Sequence, residues 1–423
     1  MNRFSTEAAN AGKESPSTAL RWTIIGLFSL GMMIAYVDRV NLSVALTDAD
    51  FKASFHLTDQ DRGVLNSAFF WSYVLLAIPA GSLVDRYGAK YPCAIGLLLW
   101  SAVSAAAALA GSVGQLLFLR VLLGIGESVI SPGAMRWIRF HCSENQRGLA
   151  VGVFLAATKF GPAVGTLLSA WLIAAYGWRL MFVLLGIGSF VWLIPWLLLV
   201  KNDARQSRPE KTTSSQQNSI SLRKLLASPA MWGIAAGAFS YMYFVYFCMT
   251  WMPVYFVERR GLSLNSMGIY TVFSFSGMAI IATAAGWLAD RSVQRGWNAV
   301  KVRRGFTIAG LLLASTSIIG ALSDSASVAL FFAVFSLSGL GLTTANYWVL
   351  TQTIMPGMAI GRAVGIQHCA ANLPGIVAPL LTGWLKHSTG SFEAPMYAIG
   401  IFLILGVAAY VFLVQERYAP RAE

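Results

Sequence analysis

Two charged residues lie seven positions apart in the strongly apolar stretch FLRVLLGIGESVISPG, residues 118–133. Seven residues make about two turns of an α-helix, so Arg120 and Glu127 share one face, roughly 10 Å apart along the axis. Inside a membrane an ionisable side chain is costly unless it faces protein, water or a partner. Gly124 and Ser128, four residues apart, allow a second helix to approach closely. The stretch therefore predicts a membrane helix packed on one side and wet on the other, whose charges either do chemistry or form a static ion pair.

A second pair of charges, Asp38 and Arg39, falls late in the first apolar run. Adjacent helix residues point about 100° apart, so Arg39 can face a cavity while Asp38 turns toward a neighbouring helix. Arg39 and Arg120 are candidate anion clamps, because a guanidinium binds a carboxylate through two hydrogen bonds and stays charged. Burial favours a protonated carboxyl and a nearby arginine favours the ionised form, so binding or release of an anion can switch protonation. The alternative is a charge lattice that never titrates.

Lys159 is a third cation at membrane depth, and its cost there predicts that it faces a cavity. Three cations against two carboxylates leave one excess positive charge, which favours anions. The second half has few charges in its apolar runs but offers hydrogen-bonding and aromatic side chains, each of which is alternatively a packing residue. These are Tyr243, Tyr246, Trp251, Asn346, Tyr347, Trp348, Gln352, Gln367, His368 and Asn372. Such a wall suits a polyol carboxylate, whose hydroxyls bind amides and whose C–H faces contact aromatic rings.

The composition is that of a polytopic membrane protein. Of 423 residues, 56% are hydrophobic and 12% are charged, and the mean hydropathy is +0.62, whereas a soluble domain has about 25% charged residues. The net charge of +13 is spread over short loops with no basic face, so nucleic acid is not an expected partner. We find no HExxH, no GxSxG and no paired-Asp motif, and no metal-ligand cysteine spacing. We expect a monomer that is not an enzyme and binds no cofactor or metal.

Twelve apolar runs are each about 19 or more residues long, enough to cross a hydrocarbon core of about 30 Å. They lie at roughly 22–46, 63–84, 91–110, 115–138, 148–173, 178–200, 229–256, 265–289, 304–322, 326–352, 362–386 and 394–415. We expect an all-α membrane protein of two six-helix bundles. Its expected parts are a disordered N-terminus at 1–20, bundles at 21–200 and 229–415, a linker at 201–228 and a tail at 416–423.

The distribution of Lys and Arg predicts the orientation of these spans. With the N-terminus inside, inner segments carry 22 of the 31 basic residues and outer loops carry 6. Because basic residues are enriched in cytoplasmic loops, both termini are expected in the cytoplasm.

The two halves of the sequence repeat. GSLVDRYGAK at 81–90 and GWLADRSVQRG at 286–296 follow the second and eighth spans and share the pattern G-x-L-x-D-R. A second repeat relates FGPAVGTLLSAWLIAAYG at 160–177 to LPGIVAPLLTGWLKHSTG at 373–390, which share the pattern L-L-[ST]-x-W-L and a final Gly. Such repeats indicate a duplicated six-helix unit, which is common in transporters and places the binding site at the midplane between the repeats.

Together with GWRLMF at 177–182, these loop motifs resemble the major facilitator superfamily over essentially the whole chain. YVDRVNLSVA (36–45), SAFFWSY (67–73), RVLLGIGE (120–127) and WMPVYF (251–256) are similar to its anion:cation symporter family. Bacterial members of that family import organic anions such as sugar acids with protons, and animal members include sialin and vesicular glutamate carriers.

The resemblance implies roles for particular residues. Asp38 and Glu127 would carry protons, and Tyr73 would contact substrate, although a packing role is the alternative for a lone tyrosine. Lys159 departs from the family, whose sugar-acid carriers usually have an uncharged polar residue there, and His368 stands where they commonly have Asn. The repeated loop would act as a conformational latch, and a solvated turn around Gly88 is the alternative. The predicted latch residues are Gly81, Asp85, Arg86, Gly88, Lys90, Asp290 and Arg291.

The expected protein is a proton-coupled importer of an organic anion, such as a hexuronate or aldonate, in the cell inner membrane. Its two halves would rock to give alternating access, and its partners would be the anion, protons and the bilayer. A proton-coupled drug or metabolite exporter of the same fold is an alternative, which the excess of cavity cations disfavours for cationic drugs. A membrane sensor that does not transport is another, and a vesicle transport assay separates it from a carrier.

Overall fold

The computed structural model describes residues 17–202, 222–356 and 360–420. Within these residues the regular secondary structure is helical, and eleven helices are long and apolar enough to cross a membrane. They are α1 Thr18–Ala45, α2 Asp59–Tyr87, α3 Lys90–Leu109, α4 Val113–His141, α5 Gln146–Leu199, α6 Pro229–Thr250, α7 Leu264–Gln294, α8 Ala299–Leu322, α9 Ala326–Ile354, α10 Arg362–Thr389 and α11 Glu393–Leu413.

Helix α5 explains why eleven helices stand where the sequence predicts twelve spans. It has 54 residues, or about 80 Å at 1.5 Å per residue, far more than a hydrocarbon core of about 30 Å. Its backbone is non-helical at Gly177, where φ is 80° and ψ is 165°, a conformation that glycine adopts most readily. The kink divides α5 into a first segment and a second segment, which match the expected spans 148–173 and 178–200. Twelve crossings therefore remain a prediction.

Breaks in two other helices lie next to the candidate site. In α4 one helical segment, Val113–Glu127, ends at Glu127 and the next, Ile130–His141, begins three residues later. The helical segment Ile360–Asn372, which includes the start of α10, is followed by Pro374–Thr389, whose first residue is a proline that has no N–H for a continuing helix. Glu127 and Asn372 are thus the last residues of interrupted segments.

The helices form two groups that meet along two lines of contact. Helix α5 packs against α7, and α2 packs against α10, so each contact joins a helix of the first half to one of the second. At the α2–α10 contact Gly63 faces the backbone of Pro379 and Gly383. Large apolar side chains such as Leu75 and Ile78 are exposed, as expected of helices that cross a membrane.

The polar segments at the expected boundaries are partly helical, and the boundaries themselves stay predictions. Helix α1 begins at Thr18 because Ser17 caps it, with the Leu20 N–H donating to the Ser17 hydroxyl at 3.3 Å. Part of the expected linker is a short helix, Leu222–Leu226, and the tail begins with a 3-10 turn, Glu416–Tyr418. The rest of the expected N-terminus, linker and tail, residues 1–16, 203–221 and 421–423, lies outside the described residues.

Candidate functional site

A cavity of about 470 Å³ lies between the two halves, with α1, α2, α4 and α5 on one side and α6, α7, α9 and α10 on the other. Its volume is within the range of small-molecule sites, roughly 300–1,000 Å³. Six predicted substrate-binding residues line it: Arg39, Tyr73, Lys159, Trp348, His368 and Asn372. A larger cavity of about 770 Å³ is lined by α8 and the end of α7, and none of the predicted site residues lines it.

Arg39 is a cavity cation that is fixed by an ion pair and by three aromatic rings. Its Nε donates to Oε2 of Glu127 at 2.7 Å, and the two side chains are 4% and 0% exposed. The guanidinium carbon lies 4.5 Å from the ring centre of Tyr36 and 4.7 Å from those of Phe69 and Tyr73. Arg39 Nη2 and Glu127 Oε1 are buried without a hydrogen-bond partner in the protein. Because buried polar atoms are normally paired, this ion pair has capacity for one more acceptor and one more donor.

Asp38 points away from the cavity, as the sequence predicts. Its Oδ1 accepts hydrogen bonds from the Ser104 hydroxyl at 2.6 Å and from Asn41 Nδ2 at 3.1 Å. Arg120 donates to the main-chain oxygen of Asp38 at 3.0 Å and to Asn41 Oδ1 at 2.9 Å. Arg120 and Glu127 therefore share the face of α4 that meets α1, but Arg120 lies inside the first half. Two donor atoms of Arg120 have partners in α1 in this conformation, and its role as an anion clamp stays a prediction.

Three predicted substrate contacts of the second half also lie elsewhere. Tyr243 packs on the ring of Phe402, with centroids 4.4 Å apart, because it is two residues and about 200° around α6 from the cavity-lining Tyr241. Trp251 follows the end of α6, and its Nε1 donates to Pro379 O at 3.2 Å. Buried Asn346 accepts a hydrogen bond from Arg303 Nη1 at 3.2 Å.

The second half presents a neutral, hydrogen-bonding wall to the cavity. The Tyr246 hydroxyl donates to Asn372 Oδ1 at 3.3 Å, and Asn372 Nδ2 donates to the main-chain oxygen of His368 at 2.8 Å. The rings of Trp348 and His368 are 6.2 Å apart. Amide, hydroxyl and ring faces thus stand opposite the charges of the first half, which suits a polar ligand with C–H surfaces.

Some cavity residues were missed from the sequence. Tyr36 and Tyr241 line the cavity but were not predicted, although Tyr36 precedes Arg39 by three residues, a spacing that places two helical side chains next to each other. Phe69, which packs on the Arg39 guanidinium behind the cavity wall, was not predicted either.

An ion cluster that the sequence analysis missed joins the two halves at one end, which we name the closed end. Glu258 of the second half lies 2.9 Å from both Lys52 and Arg62 and 3.0 Å from Lys386. Asp59 binds Arg62 at 2.8 Å and Lys386 at 2.7 Å. Burial raises the pKa of the Glu258 carboxyl, but the three cations outweigh it and lower that pKa to about 2. The available sequence signal was that Asp59 and Glu258 lie in expected outer loops close to basic residues.

The predicted latch residues lie at the other end of the molecule. Asp85 is 3.7 Å from Arg136, and Asp290 binds Arg303, so each aspartate binds an arginine of its own half. We name these four residues the latch end. Gly88, with φ of 79°, ends α2, and Lys90 Nζ donates to Leu197 O at 2.8 Å. The remaining predicted latch residues, Gly81, Arg86 and Arg291, lie on α2 and α7, where the two arginines contact the rings of Tyr87 and Trp287.

Within the described ranges, no group of three or more His, Cys, Asp or Glu side chains is arranged to hold a metal ion. The arrangement instead has two helical bundles, a polar cavity between them, a buried ion pair at its wall and an ion cluster that closes one end. These features are typical of membrane carriers, which expose a binding site between two bundles to one side of the membrane at a time.

The chain belongs to the Major Facilitator Superfamily, whose family model matches residues 28–366. It is therefore a multi-pass membrane transporter rather than an enzyme. The predicted superfamily and its all-α membrane fold are confirmed, whereas twelve crossings and two cytoplasmic termini stay predictions. The chain is 30% identical to the hexuronate transporter of Bacillus subtilis (strain 168), over 93% of each chain. It is 29% identical to a probable sulfoacetate transporter, SauU, of Cupriavidus necator, over 93% of this chain and 94% of that one.

A solved structure supports the fold. The crystal structure of a bacterial homologue of the human lysosomal transporter Spinster, inward-facing and unoccupied, has a TM-score of 0.80 and 18% sequence identity to this chain. The match covers 96% of this chain and 100% of that one.

Proposed function

We propose that this transporter imports a small organic anion, such as a hexuronate or aldonate, together with protons. The observation that carries the proposal is the buried pair of Arg39 and Glu127, in which each side chain keeps one polar atom without a protein partner. Similarity to transporters named for hexuronate and sulfoacetate, both organic anions, supports the substrate class.

The pair gives a physical route to coupling. When Glu127 is ionised it neutralises Arg39, and an anion has to compete with it. When a proton binds Glu127, Arg39 loses its counter-charge, and leaving a buried cation unpaired is strongly unfavourable. A substrate carboxylate that accepts from Nη2 of Arg39 restores the balance. The proton and the anion therefore favour each other's binding, and after the anion leaves, Arg39 pairs again with Glu127 and the proton is released.

Asp38 is the second proton-carrying carboxylate of the proposal. Its Oδ2 is buried without a protein partner, whereas Oδ1 accepts two hydrogen bonds. Arg120 takes a positioning role in place of the predicted contact with substrate, since it fixes the main chain at Asp38 and the side chain of Asn41.

The bias of basic residues supports an orientation with both termini in the cytoplasm and the closed end outside. In the proposal the protein is a monomer of the cell inner membrane. Its bundles, residues 21–200 and 229–415, rock about the α5–α7 and α2–α10 contacts, joined by the linker at 201–228.

The test is Glu127→Gln in proteoliposomes, because glutamine keeps the shape of a neutral glutamic acid. Proton-driven accumulation should fall to the equilibrium level, while counterflow exchange persists, since exchange returns the carrier loaded and needs no net proton release. Asp38→Asn should uncouple in the same way or impair folding, which size-exclusion chromatography detects. Asp324→Asn, a change of an exposed carboxylate between α8 and α9, is the matched control and should accumulate normally.

Two results would contradict the proposal. Full gradient-driven accumulation by the Glu127→Gln/Asp38→Asn double variant would remove both residues from coupling. Uptake of a neutral aldose as readily as its acid would remove the requirement for an anion.

A further inference from the structure

Lys159 is a cavity cation that the proposed coupling step does not use. It lies on the first segment of α5 and lines the cavity between the halves. Its Nζ is 3.4 Å from the hydroxyl of Tyr241, which lies on α6 of the second half and is itself 3.0 Å from the Thr344 hydroxyl. Within the described parts of the chain, Tyr241 is the hydrogen-bond partner of Lys159, and no carboxylate lies within ion-pair distance of it.

The charge of the cavity therefore does not balance. The residues that line it include two cations, Arg39 and Lys159, and no Asp or Glu. Glu127, behind Arg39, neutralises one of the two while it is ionised. Protonation of Glu127 in the proposed cycle leaves both cations without a counter-charge. A ligand with a single carboxylate would satisfy Arg39 and leave Lys159 unpaired in a cavity that is partly shielded from water, which is unfavourable.

The contacts between α1 and α5 set the spacing of the two cations. Gly161 packs against Tyr36, and Gly165 packs against Val37 and Val40, so the two helices advance together along their contact. In this alignment of the two helices, Lys159 lies at about the same height along the helix axes as position 34 of α1. Arg39 is five residues further along α1, an offset of about 7–8 Å at 1.5 Å per residue. The two cations thus lie at different depths of one cavity, like two ends of a short extended chain.

We infer that the substrate carries two anionic groups, one bound by Arg39 and the other by Lys159, joined by a short hydroxylated chain. This inference rests on the proposed function and narrows its substrate class from organic anions to dianions such as hydroxylated dicarboxylates. The neutral wall opposite, with the Tyr246–Asn372 pair and the ring of Trp348, contacts the chain between the two anionic groups. Lys159 therefore sets the charge that the carrier selects, and Tyr241 holds its ammonium in the cavity.

Binding measurements with acid pairs that differ in one carboxylate test the inference. Calorimetry on the purified protein would compare D-gluconate with D-glucarate and D-galactonate with galactarate. The dianion of at least one pair should bind about tenfold tighter or more, as expected for one charge-assisted contact. Lys159→Gln should remove this preference by weakening the dianion alone, and Lys159→Arg should retain it. Lys301→Gln, which neutralises an exposed lysine of the larger cavity on α8, is the matched control and should bind like the wild type.

The outcomes separate this inference from the proposed function. Equal binding of the two acids in both pairs, or a dianion preference that survives Lys159→Gln, would overturn the inference even if proton-coupled uptake of the monoanion is normal. A dianion preference that depends on Lys159, without proton-coupled uptake of either acid, would support the inference and overturn the proposed coupling. Absence of binding by all four acids would overturn the hydroxylated-dicarboxylate class.

Discussion

At the closed end Glu258 of the second half binds Lys52 and Arg62 of the first half, whereas at the latch end Asp85 and Asp290 each bind an arginine of their own half. Ion pairs between the halves must break before the halves can separate. Ion pairs within one half move together with that half, so they do not have to break when the two halves rock against each other. Among the described residues, we therefore expect the ion pairs of the closed end to control the balance between conformations more strongly than those of the latch end.

The ion pairs of the two ends also differ in how far their side chains are exposed to solvent. The side chains of Arg62 and Glu258 are 5% and 22% exposed, whereas those of Asp85 and Asp290 are 74% and 59% exposed. Exposed ion pairs contribute about 0–1 kcal/mol, and loss of one partner of a buried pair costs about 3–5 kcal/mol. Changes at the closed end should therefore shift the conformational balance more than matching changes at the latch end.

Gly63→Leu should have the largest effect, because it prevents the closed end from forming. A Cβ at position 63 would lie 2.6 Å from the main-chain oxygen of Pro379 and 3.3 Å from the Cα of Gly383. Backbone atoms cannot turn aside as a flexible side chain does, so the halves must separate there. We expect proton-driven accumulation in proteoliposomes to fall to background. Gly26→Leu is the control, since nothing lies within 4 Å of a Cβ at that glycine of α1.

The conformational readout is a distance between spin labels at Ser54 and Ser388, two exposed positions near the closed end, after replacement of the exposed Cys369. Electron–electron double resonance should show a longer distance in Gly63→Leu than in the wild type or in Gly26→Leu. An unchanged distance together with normal accumulation would show that the close α2–α10 approach is not required.

The charged side of the site could be predicted from the sequence because charge inside an apolar span is rare. Arg39 and Lys159 were expected at a cavity for this reason, and both line it. The neutral side was harder, since lipid and the protein interior are both apolar and the sequence of a span does not show which face is inward. Tyr243 was therefore predicted in place of Tyr241, two residues away on the opposite side of α6.

The closed end could not be predicted because its residues are far apart in the sequence and each is ordinary for a loop. Lys386 pairs with Asp59 across 327 positions, and Arg62 pairs with Glu258 across 196. Nothing local marks such pairs, whereas the repeated G-x-L-x-D-R motif marked the latch end from the sequence alone. The helical spans were predicted well because their length and hydropathy are local properties, apart from the merging of two spans at Gly177.

Glu258→Gln should have the second largest effect. It removes the carboxylate shared by Lys52, Arg62 and Lys386 and leaves Asp59 as the acid of the cluster. Because Glu258 is partly buried, we expect a cost between those of exposed and buried pairs, about 1–2 kcal/mol, or roughly a tenfold loss of the closed population. The Ser54–Ser388 label distance measures it. Glu393→Gln, a change of an exposed acid near Lys386, is the control, and an identical distance distribution in both variants would exclude the cluster as a gate.

Asp85→Asn should have a smaller effect and one of opposite sign. In this conformation the loss of its contact with Arg136 costs at most about 1 kcal/mol, since Asp85 is largely exposed. If Asp85 binds the other half when the latch end closes, its neutralisation disfavours that state and increases the population with the closed end formed. Labels at the exposed Ser82 and Gln294 would measure the latch-end distance, which should become longer on average. Asp290→Asn, at the repeat-related position, should act in the same direction, and no change in either variant would remove the latch role.

The smallest expected effect is that of pH on the closed end. The three cations hold the pKa of Glu258 at about 2, well below the usual 4.5 of a glutamate. A carboxyl whose pKa is depressed in the closed state stabilises that state fully above its ordinary pKa. This stabilisation is lost only as the pH falls through the lower value. Between pH 8 and pH 5.5 Glu258 therefore stays ionised in both states, and the Ser54–Ser388 distance distribution of the ligand-free protein should not change.

The pH dependence of uptake over the same range should keep its shape in Glu258→Gln and be lost in Glu127→Gln, because the proposal assigns proton binding to the cavity pair. A closed-end distance that lengthens between pH 8 and pH 5.5 in the wild type, but not in Glu258→Gln, would instead make the closed end itself a proton-responsive gate.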